Sequence, residues 1–205
     1  MRNAVRLGIM GGTFDPIHYG HLVTAEEALV QFNLDRVLFM PTGNPAVKRD
    51  RAVTPAEDRY LMVVVATASN PDFDVSRLEV DRPGPTYTVD TLQALRAEYG
   101  PATELFFITG ADAVWEIVGW KDAEQVASLA TFIAATRPGY DLHAARTAHE
   151  GEATGFRIEY IEVPALAISS TDLRSRLAER RTIRYLTPES VAAYIYKRGL
   201  YREAG

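Results

Sequence analysis

The alternation of short apolar runs with amphipathic stretches predicts an α/β fold with a doubly wound parallel sheet. Several predicted strands are continuous apolar runs, such as Leu105–Ile108, which is typical of parallel strands buried on both faces. A glycine-containing loop, Gly11–His21, joins the first apolar run to the first amphipathic stretch, and such loops bind phosphates in these folds. We therefore expect a Rossmann-like sheet with helices on both faces and a C-terminal helical segment.

The predicted strands are short and mostly apolar, whereas the predicted helices are longer and amphipathic. Strands are expected at Val5–Met10, Arg36–Met40, Phe73–Ser76, Leu105–Thr109, Thr131–Ala135 and Arg157–Val163. Helices are expected at Leu22–Phe32, Ala56–Ala68, Val89–Tyr99, Asp112–Val118, Asp122–Ser128, Thr171–Glu179 and Pro188–Arg198. Thr54 and Thr187 each precede a proline, which predicts a threonine N-cap with proline at the first helical position. Gly199 follows two cations and predicts the end of the last helix.

Composition excludes several classes of protein. The chain has 205 residues, of which 47% are hydrophobic, so we expect a single domain over residues 1–205. The net charge of −5 offers no positive field for nucleic acid, so a polymer partner is not expected. The sequence contains no cysteine, which excludes disulfides, thiolate zinc sites and cysteine nucleophiles. Without a long apolar run or a signal peptide, we expect a cytoplasmic protein with no membrane partner.

The first loop has residues suited to close contact with an anion. Gly11 and Gly12 lack a Cβ atom, so the backbone there can approach a ligand. Thr13 and Phe14 can present N–H groups, and Gly20 leaves room for a bulky ligand. The loop is therefore predicted to bind a phosphate at the entrance of the first helix.

The same loop contributes a carboxylate and two imidazoles. His18 and His21 are three positions apart, which places them on one side of the starting helix. Asp15 can accept a hydrogen bond from a ligand, or it can merely cap the turn with Pro16. A His-x-x-His pair can also bind zinc, but the other histidines, His143 and His149, lie in a polar stretch. We therefore predict chemistry on a phosphate and no metal ligand from the protein.

A second cluster, Ile168–Arg174, combines hydroxyl groups with a cation at a predicted helix start. Ser169, Ser170 and Thr171 can cap the helix or bind an anion there. Arg174, one turn into the helix, adds a forked cation. Capping alone accounts for one serine and leaves the other hydroxyls and the arginine unexplained, so a second phosphate-binding element is predicted.

These two segments resemble the motifs of the nucleotidyltransferase superfamily. Residues 12–21 match its Gly-x-Phe-Asp-Pro-x-His-x-Gly-His signature without a gap. Residues 168–174 are similar to its C-terminal Ile-Ser-Ser-Thr-x-x-Arg motif. The resemblance implies that the first motif and the second both bind ATP phosphates, with the second on the β- and γ-phosphates, and that the protein transfers a nucleotidyl group.

The flanking sequence resembles one branch, the bacterial nicotinate-mononucleotide adenylyltransferases, over residues 5–200. Residues 85–92 look like the segment that opens a helix in that family. The stretch Gly110-Ala111-Asp112 with Trp120 is similar to its Gly-x-Asp…Trp element, and Arg137-Pro138-Gly139 also matches. In place of the family's Pro-Pro-His-Lys, this chain has Pro45-Ala46-Val47-Lys48, so the role of that histidine is not carried over.

The resemblance implies a binding role for several further residues. Thr86 and Tyr87 would lie beside the nicotinate carboxylate, and Trp120 would stack on the pyridine ring. Asp15 and Lys48 are also assigned to the mononucleotide. The ATP side would use the first loop, the second cluster, Gly110, Asp112 and Arg137. Packing in the core remains open as the alternative for Trp120, and capping of its own helix remains open for Asp112.

The implied reaction joins ATP to nicotinate mononucleotide, giving deamido-NAD and pyrophosphate. The attacking phosphate has a second pKa of about 6, so no strong base is required and catalysis rests on positioning and charge neutralisation. The predicted catalytic residues are His18 and His21 at the α-phosphate, Arg174 with Ser170 and Thr171 at the leaving pyrophosphate, and Lys48 as a neutralising cation. Mg²⁺ is expected to enter with ATP, coordinated by phosphate oxygens and water.

Three alternatives remain open at this point. The acceptor could be nicotinamide mononucleotide or phosphopantetheine, or the chain could be a non-catalytic nucleotide-binding module on the same fold. The oligomeric state, including a homo-oligomer, is not determined by the sequence.

Overall fold

The computed structural model describes residues 5–44, 53–113, 120–136, 155–164 and 167–201. Its centre is a six-stranded sheet with the order β3-β2-β1-β4-β5-β6, in which every pair of neighbours is parallel. The strands are Arg6–Gly12 (β1), Arg36–Pro41 (β2), Phe73–Val75 (β3), Glu104–Gly110 (β4), Thr131–Thr136 (β5) and Arg157–Glu162 (β6). This order confirms the predicted doubly wound sheet.

Six α-helices lie within the described residues. They are Tyr19–Gln31 (α1), Ala56–Thr67 (α2), Thr88–Tyr99 (α3), Ala123–Leu129 (α4), Ser170–Ala178 (α5) and Glu189–Arg198 (α6). Helices α1, α2, α5 and α6 pack in one apolar cluster, and α3 and α4 pack in another. Successive residues of β1 alternate between the two, since Ile9 belongs to the second and Met10 to the first. Helices therefore cover both faces of the sheet, as expected.

Three local predictions differ from the structure. The backbone of Pro188 is extended, with ψ 145°, and its carbonyl accepts from the N–H groups of Val191 and Ala192. Pro188 is therefore the N-cap, and Pro55 with ψ 140° has the same position before α2. The prediction of proline at the first helical position was wrong by one residue in both helices. Of the predicted helix Asp112–Val118, the start forms a 3₁₀ turn, Ala111–Ala113, and residues 114–118 lie outside the described residues.

The order of the strands creates a switch point beside β1. The chain passes from β1 outward to β3 on one side, then returns to β4 and continues outward to β6 on the other side. Ligands of open α/β sheets bind in the crevice that this reversal opens at the carboxyl ends of the strands. The first loop follows β1 directly, so its position in the fold is that of a ligand-binding loop. Among the described residues, no helix combines the length and the apolar character needed to cross a membrane.

Candidate active site

The first loop and the second cluster border the same cleft. The cleft has a volume of about 580 Å³ and lies at the carboxyl ends of β1, β4 and β5. From the first loop it is lined by His18, Gly20 and His21, and from the second cluster by Ser169 and Ser170. Gly110, at the end of β4, also lines it. The two segments, about 150 residues apart in the sequence, therefore converge on one side of the switch point.

The two histidines are held in contact at the start of α1. Their rings are stacked, with centroids 3.8 Å apart. The backbone N–H of His18, the N-cap of α1, donates to Nδ1 of His21 at 3.2 Å. Because Nδ1 is an acceptor, the neutral ring of His21 carries its proton on Nε2. His21 can therefore present an N–H donor to an anion.

His18 is more deeply buried than its position in a loop suggested. The side chain is 7% exposed, and its Nδ1 has no hydrogen-bond partner among the described residues. Burial lowers the pKa of His18 to about 4. The imidazole is therefore neutral at pH 7, so it can offer hydrogen bonds to a phosphate but not a positive charge.

The second cluster holds the backbone of the first loop. Ser169 caps α5 by accepting from the N–H of Asp172 at 3.1 Å. Ser170 donates through its hydroxyl to the carbonyl of Pro16 at 2.9 Å. Arg174 donates to the carbonyl of Asp15 at 2.7 Å and to the hydroxyl of Thr171 at 3.1 Å.

Two other side chains, which the sequence analysis missed, complete this support. Thr187 donates to the carbonyl of Ile17 at 2.8 Å, and Arg59 donates to that of Thr13 at 2.7 Å. Four carbonyl groups of the loop, those of residues 13, 15, 16 and 17, thus accept from side chains of α2, α5 and the segment before α6. Arg59 carried a sequence signal, since it shares a helix face with the apolar Met62 and Val63. Thr187 was interpreted as a helix cap, so its long-range contact was not foreseen.

Asp15 lies inside the loop. Its side chain is 2% exposed, and its carboxylate accepts from the hydroxyl of Tyr201 at 2.8 Å. Burial, and then the charge of Asp15, raise the pKa of that tyrosine well above its usual range, so the hydroxyl keeps its proton. This contact agrees with the turn-capping interpretation, and the mononucleotide role of Asp15 stays a prediction. Tyr201 had no distinguishing sequence signal.

The glycines of the loop are required by packing inside the protein. A Cβ atom at Gly11 would lie 2.9 Å from the ring of Phe107, and one at Gly12 would lie 3.0 Å from the ring of Phe14. A Cβ at Gly20 would lie 3.0 Å from the ring of His18. The predicted close approach of a ligand to Gly11 and Gly12 stays a prediction, whereas internal contacts already explain why larger residues do not fit.

Three of the residues predicted for the mononucleotide lie near the apolar cluster that contains Ile9 and Phe107. Trp120 packs edge-on against Phe107 at 5.7 Å between ring centroids. Lys121, its neighbour in the chain, places Nζ 4.7 Å from the ring centroid of Tyr87. The hydroxyl of Thr86 is buried without a hydrogen-bond partner among the described residues. Thr86, Tyr87 and Trp120 thus form one neighbourhood, and their contact with a ligand stays a prediction.

Several residues predicted for the site lie in parts of the chain that the structure does not describe. Lys48 and Arg137 lie outside the described residues, as do Val47, His143 and His149, and the side chain of Asp112 is not described. Within the described ranges, no group of three histidine or carboxylate side chains is arranged to hold a metal ion.

Comparison with other proteins identifies the family. The cytidylyltransferase-like family model matches residues 9–176. A probable nicotinate-nucleotide adenylyltransferase of Corynebacterium kroppenstedtii is 57% identical over 203 residues, which cover 99% of this chain and 94% of that protein. A protein of the same description from Streptomyces coelicolor is 58% identical, covering 94% of this chain and 99% of the relative.

A solved structure agrees with these matches at the level of the fold. The nicotinic acid mononucleotide adenylyltransferase of Plasmodium falciparum, complexed with NaAD, has a TM-score of 0.76 and 22% identity. The alignment covers 96% of this chain and 97% of that chain. With the motifs, the shared cleft and relatives above 50% identity over nearly the whole length, this chain belongs to the nicotinate-nucleotide adenylyltransferase family.

Proposed function

We propose that this protein transfers the adenylyl group of ATP to nicotinate mononucleotide, giving nicotinate adenine dinucleotide (deamido-NAD) and pyrophosphate in NAD biosynthesis. The observation that carries the proposal is the convergence of His18, His21, Ser169 and Ser170 on one cleft in a member of this family. The cleft lies at the switch point, where doubly wound folds bind nucleotides.

The reaction requires positioning more than proton transfer. A phosphate oxygen of the mononucleotide attacks the α-phosphorus of ATP, and the bond from that phosphorus to the oxygen bridging to the β-phosphorus breaks. Pyrophosphate leaves with the electrons of that bond. Because the attacking phosphate is largely dianionic at neutral pH, its own charge makes it the nucleophile. The protein has to bring two polyanions together and stabilise the charge that develops.

We assign the two imidazoles and the start of α1 to the α-phosphate. His18 is neutral, so we propose that the imidazoles act as hydrogen-bond donors. The N-terminus of α1 adds the positive end of its dipole to the same region. The positive charge itself is assigned to Arg174 and Lys48. The remaining ATP contacts assigned to the first loop, Gly110, Asp112 and Arg137 are proposals of the same kind.

We assign the leaving pyrophosphate to the hydroxyls of the second cluster and to Arg174. In the structure the guanidinium of Arg174 holds the carbonyl of Asp15. A guanidinium carries several N–H donors in a fixed fork, so it can keep the loop in place while it contacts a phosphate. By contacting both the first loop and the pyrophosphate, Arg174 would fix the position of the leaving group relative to the loop.

We also propose the metal, the domain organisation and the location of the protein. Mg²⁺ would enter as the complex with ATP, held by phosphate oxygens and water. One sheet takes β1 from the start and β6 from the last third of the chain, which supports a single nucleotidyltransferase domain over residues 1–205. The cytoplasmic location expected from the sequence is the third proposal.

The direct test is an assay of pyrophosphate release with MgATP and one of three acceptors. We expect efficient turnover with nicotinate mononucleotide, less with nicotinamide mononucleotide and none with phosphopantetheine, with the dinucleotide identified by mass. A preference for either other acceptor, or no pyrophosphate release with any acceptor, would contradict the proposal.

Replacing Trp120 by alanine should separate the two substrates. If the indole stacks on the pyridine ring, Trp120→Ala loses about 1 kcal/mol or more of binding, so the KM for the mononucleotide should rise about 5-fold or more. The KM for ATP should change little. Tyr196→Ala, which removes a half-exposed aromatic ring from α6 on the opposite face of the sheet, is the control. Equal rises in both KM values for Trp120→Ala would assign the residue to packing against Phe107.

A further inference from the structure

We infer that Arg59 and Glu79 form a positioning pair that sets the spacing between the ATP side and the mononucleotide side of the site. The inference rests on the proposed function. Both residues contact residues 42–44, the segment that follows β2: Arg59 donates to the carbonyl of Gly43, and the backbone of Glu79 lies against Gly43. Neither side chain lines the cleft described above, so both would act through the segment and not on the substrates.

Arg59 ties three segments of backbone together. Its side chain is 1% exposed and donates to the carbonyls of Thr13 at 2.7 Å, Gly43 at 2.9 Å and Thr54 at 2.8 Å. A buried guanidinium is costly unless its donors are satisfied, and here Nε, Nη1 and Nη2 each have an acceptor. The residue therefore connects the first loop, the segment after β2 and the approach to α2.

Glu79 contacts the same segment through its backbone. A Cβ atom at Gly43 would overlap the carbonyl oxygen of Glu79, so the two backbones are in direct contact. The carboxylate, on a side chain that is 7% exposed, accepts from the hydroxyl of Thr91 in α3 at 2.7 Å. Arg82 donates to the same hydroxyl at 3.1 Å. Glu79 thus connects the segment to α3, the helix that follows Thr86 and Tyr87.

Residues 42–44 join the two halves of the site directly. The N–H of Thr42 donates to the carbonyl of Gly12 at 2.9 Å, and the carbonyl of Asn44 accepts from the N–H of Thr86 at 3.1 Å. A shift of this segment would therefore move the mononucleotide side relative to the first loop. An error of about 1 Å in such a spacing can cost about 100-fold in rate.

The charge of the Glu79 carboxyl group changes near neutral pH. Burial is the main cause that raises its pKa to about 7, opposed by hydrogen bonds from Thr91 and Thr42 and by the charges of Arg82 and Arg59. Below about pH 7 the carboxyl is protonated and its attraction to both arginines is lost. Above that pH the carboxylate is present and the pair is at full strength. We expect the ionised form to hold residues 42–44 more firmly.

The first experiment compares pH profiles of kcat/KM for nicotinate mononucleotide. Wild-type enzyme should show a rise of about 10-fold through pH 7 because Glu79 ionises there. Glu79→Gln should lack that rise and keep the low value at every pH, and Glu79→Asp should restore part of it. The substrate phosphate also ionises near pH 6. Its contribution to the pH profile is the same for every variant, so the difference between the profiles reports the enzyme alone. Asp81→Asn, at an exposed carboxylate nearby, should behave as wild type.

The second experiment replaces Arg59 by lysine, which keeps the charge but not the fork that reaches three carbonyls. We expect kcat to fall and the KM for the mononucleotide to rise, each about 10-fold or more. The Kd for ATP alone should change less than the KM for the mononucleotide, because Arg59 holds the first loop only at the carbonyl of Thr13. The loop carbonyls of residues 15, 16 and 17 keep their donors from Arg174, Ser170 and Thr187 in this variant. Arg77→Lys, at a half-exposed arginine held by Glu57 and Asp81, is the matched control.

The outcomes separate this inference from the proposed function. Wild-type enzyme that does not use nicotinate mononucleotide would contradict the proposed function itself. With an active wild type, an unchanged pH profile in Glu79→Gln, or equal losses for both substrates in Arg59→Lys, would overturn the positioning pair. If Arg59→Lys does not fold, the profile of Glu79→Gln decides the question alone.

Discussion

Alanine at position 18 is expected to lower kcat by about 100- to 1000-fold, the loss seen when a donor to a developing oxyanion is removed. His18 is stacked on His21 beside the cleft, and its buried Nδ1 has no hydrogen-bond partner in the part of the chain that the structure describes. Because the pKa of His18 is about 4 in the protein without ligand, the loss in kcat/KM, measured below saturation, should be the same at pH 6 and at pH 8. Pyrophosphate release with saturating MgATP and mononucleotide measures the effect on kcat.

Two companion variants separate catalysis from folding. His18→Ala also removes a buried ring, so some loss of stability is expected, and the melting temperature of each variant must be measured. His18→Asn keeps a good N-cap residue at the start of α1 and should fold as wild type, yet remain impaired in kcat. Tyr19→Phe, at the adjacent half-exposed position, should retain activity. A folded His18→Ala enzyme with normal kcat would exclude a role for this imidazole at the α-phosphate.

Arg174→Ala is the second variant with a large expected effect, a fall of about 100-fold in kcat/KM for ATP. The change removes the donor to the carbonyl of Asp15 and the cation proposed for the leaving pyrophosphate. Both losses act on the same step, because the first loop also carries His18. Arg174→Lys keeps the charge but not the fork and should recover only part of the rate.

The matched control for Arg174 lies two residues away on the same helix. Arg176 donates to Asp172 at 2.7 Å one turn back along α5, a partly exposed pair of the kind that contributes little to stability. Arg176→Ala should therefore change kcat/KM by less than about 3-fold. Similar losses in Arg174→Ala and Arg176→Ala would indicate that damage to α5, and not the loss of a specific cation, explains the result.

The fold and the location of the site were accessible from the sequence because their signals are local. Apolar runs such as Leu105–Ile108 report a strand buried on both faces, whatever the rest of the chain does. The residues of the first loop and those of 168–174 are contiguous, so their motifs could be recognised without any knowledge of tertiary contacts. Parallel strands then place loops at a common edge, which predicts that the two motifs meet.

The burial of side chains and their long-range hydrogen-bond partners could not be predicted from local sequence patterns. Thr187 has a helix-capping pattern, yet its hydroxyl donates to the carbonyl of Ile17, a residue 170 positions earlier. Arg59 could be noticed as a cation on an apolar helix face, but its three carbonyl partners depend on how α2 packs against two loops. Such contacts join residues that are far apart in the sequence, so no periodic pattern of residue types predicts them.

The amino-acid sequence by itself determined the doubly wound architecture, the two motifs predicted to bind phosphate and the family to which they belong, since each depends on residue types at short spacing. Only the tertiary structure decided that His18 is neutral, because its pKa depends on exclusion of water by surrounding residues. It likewise decided that side chains from α2, α5 and the segment before α6 hold the first loop, and that Arg59 and Glu79 both contact residues 42–44. The electrostatic environment of a side chain and the geometry of a loop both depend on packing between segments that are distant in the sequence.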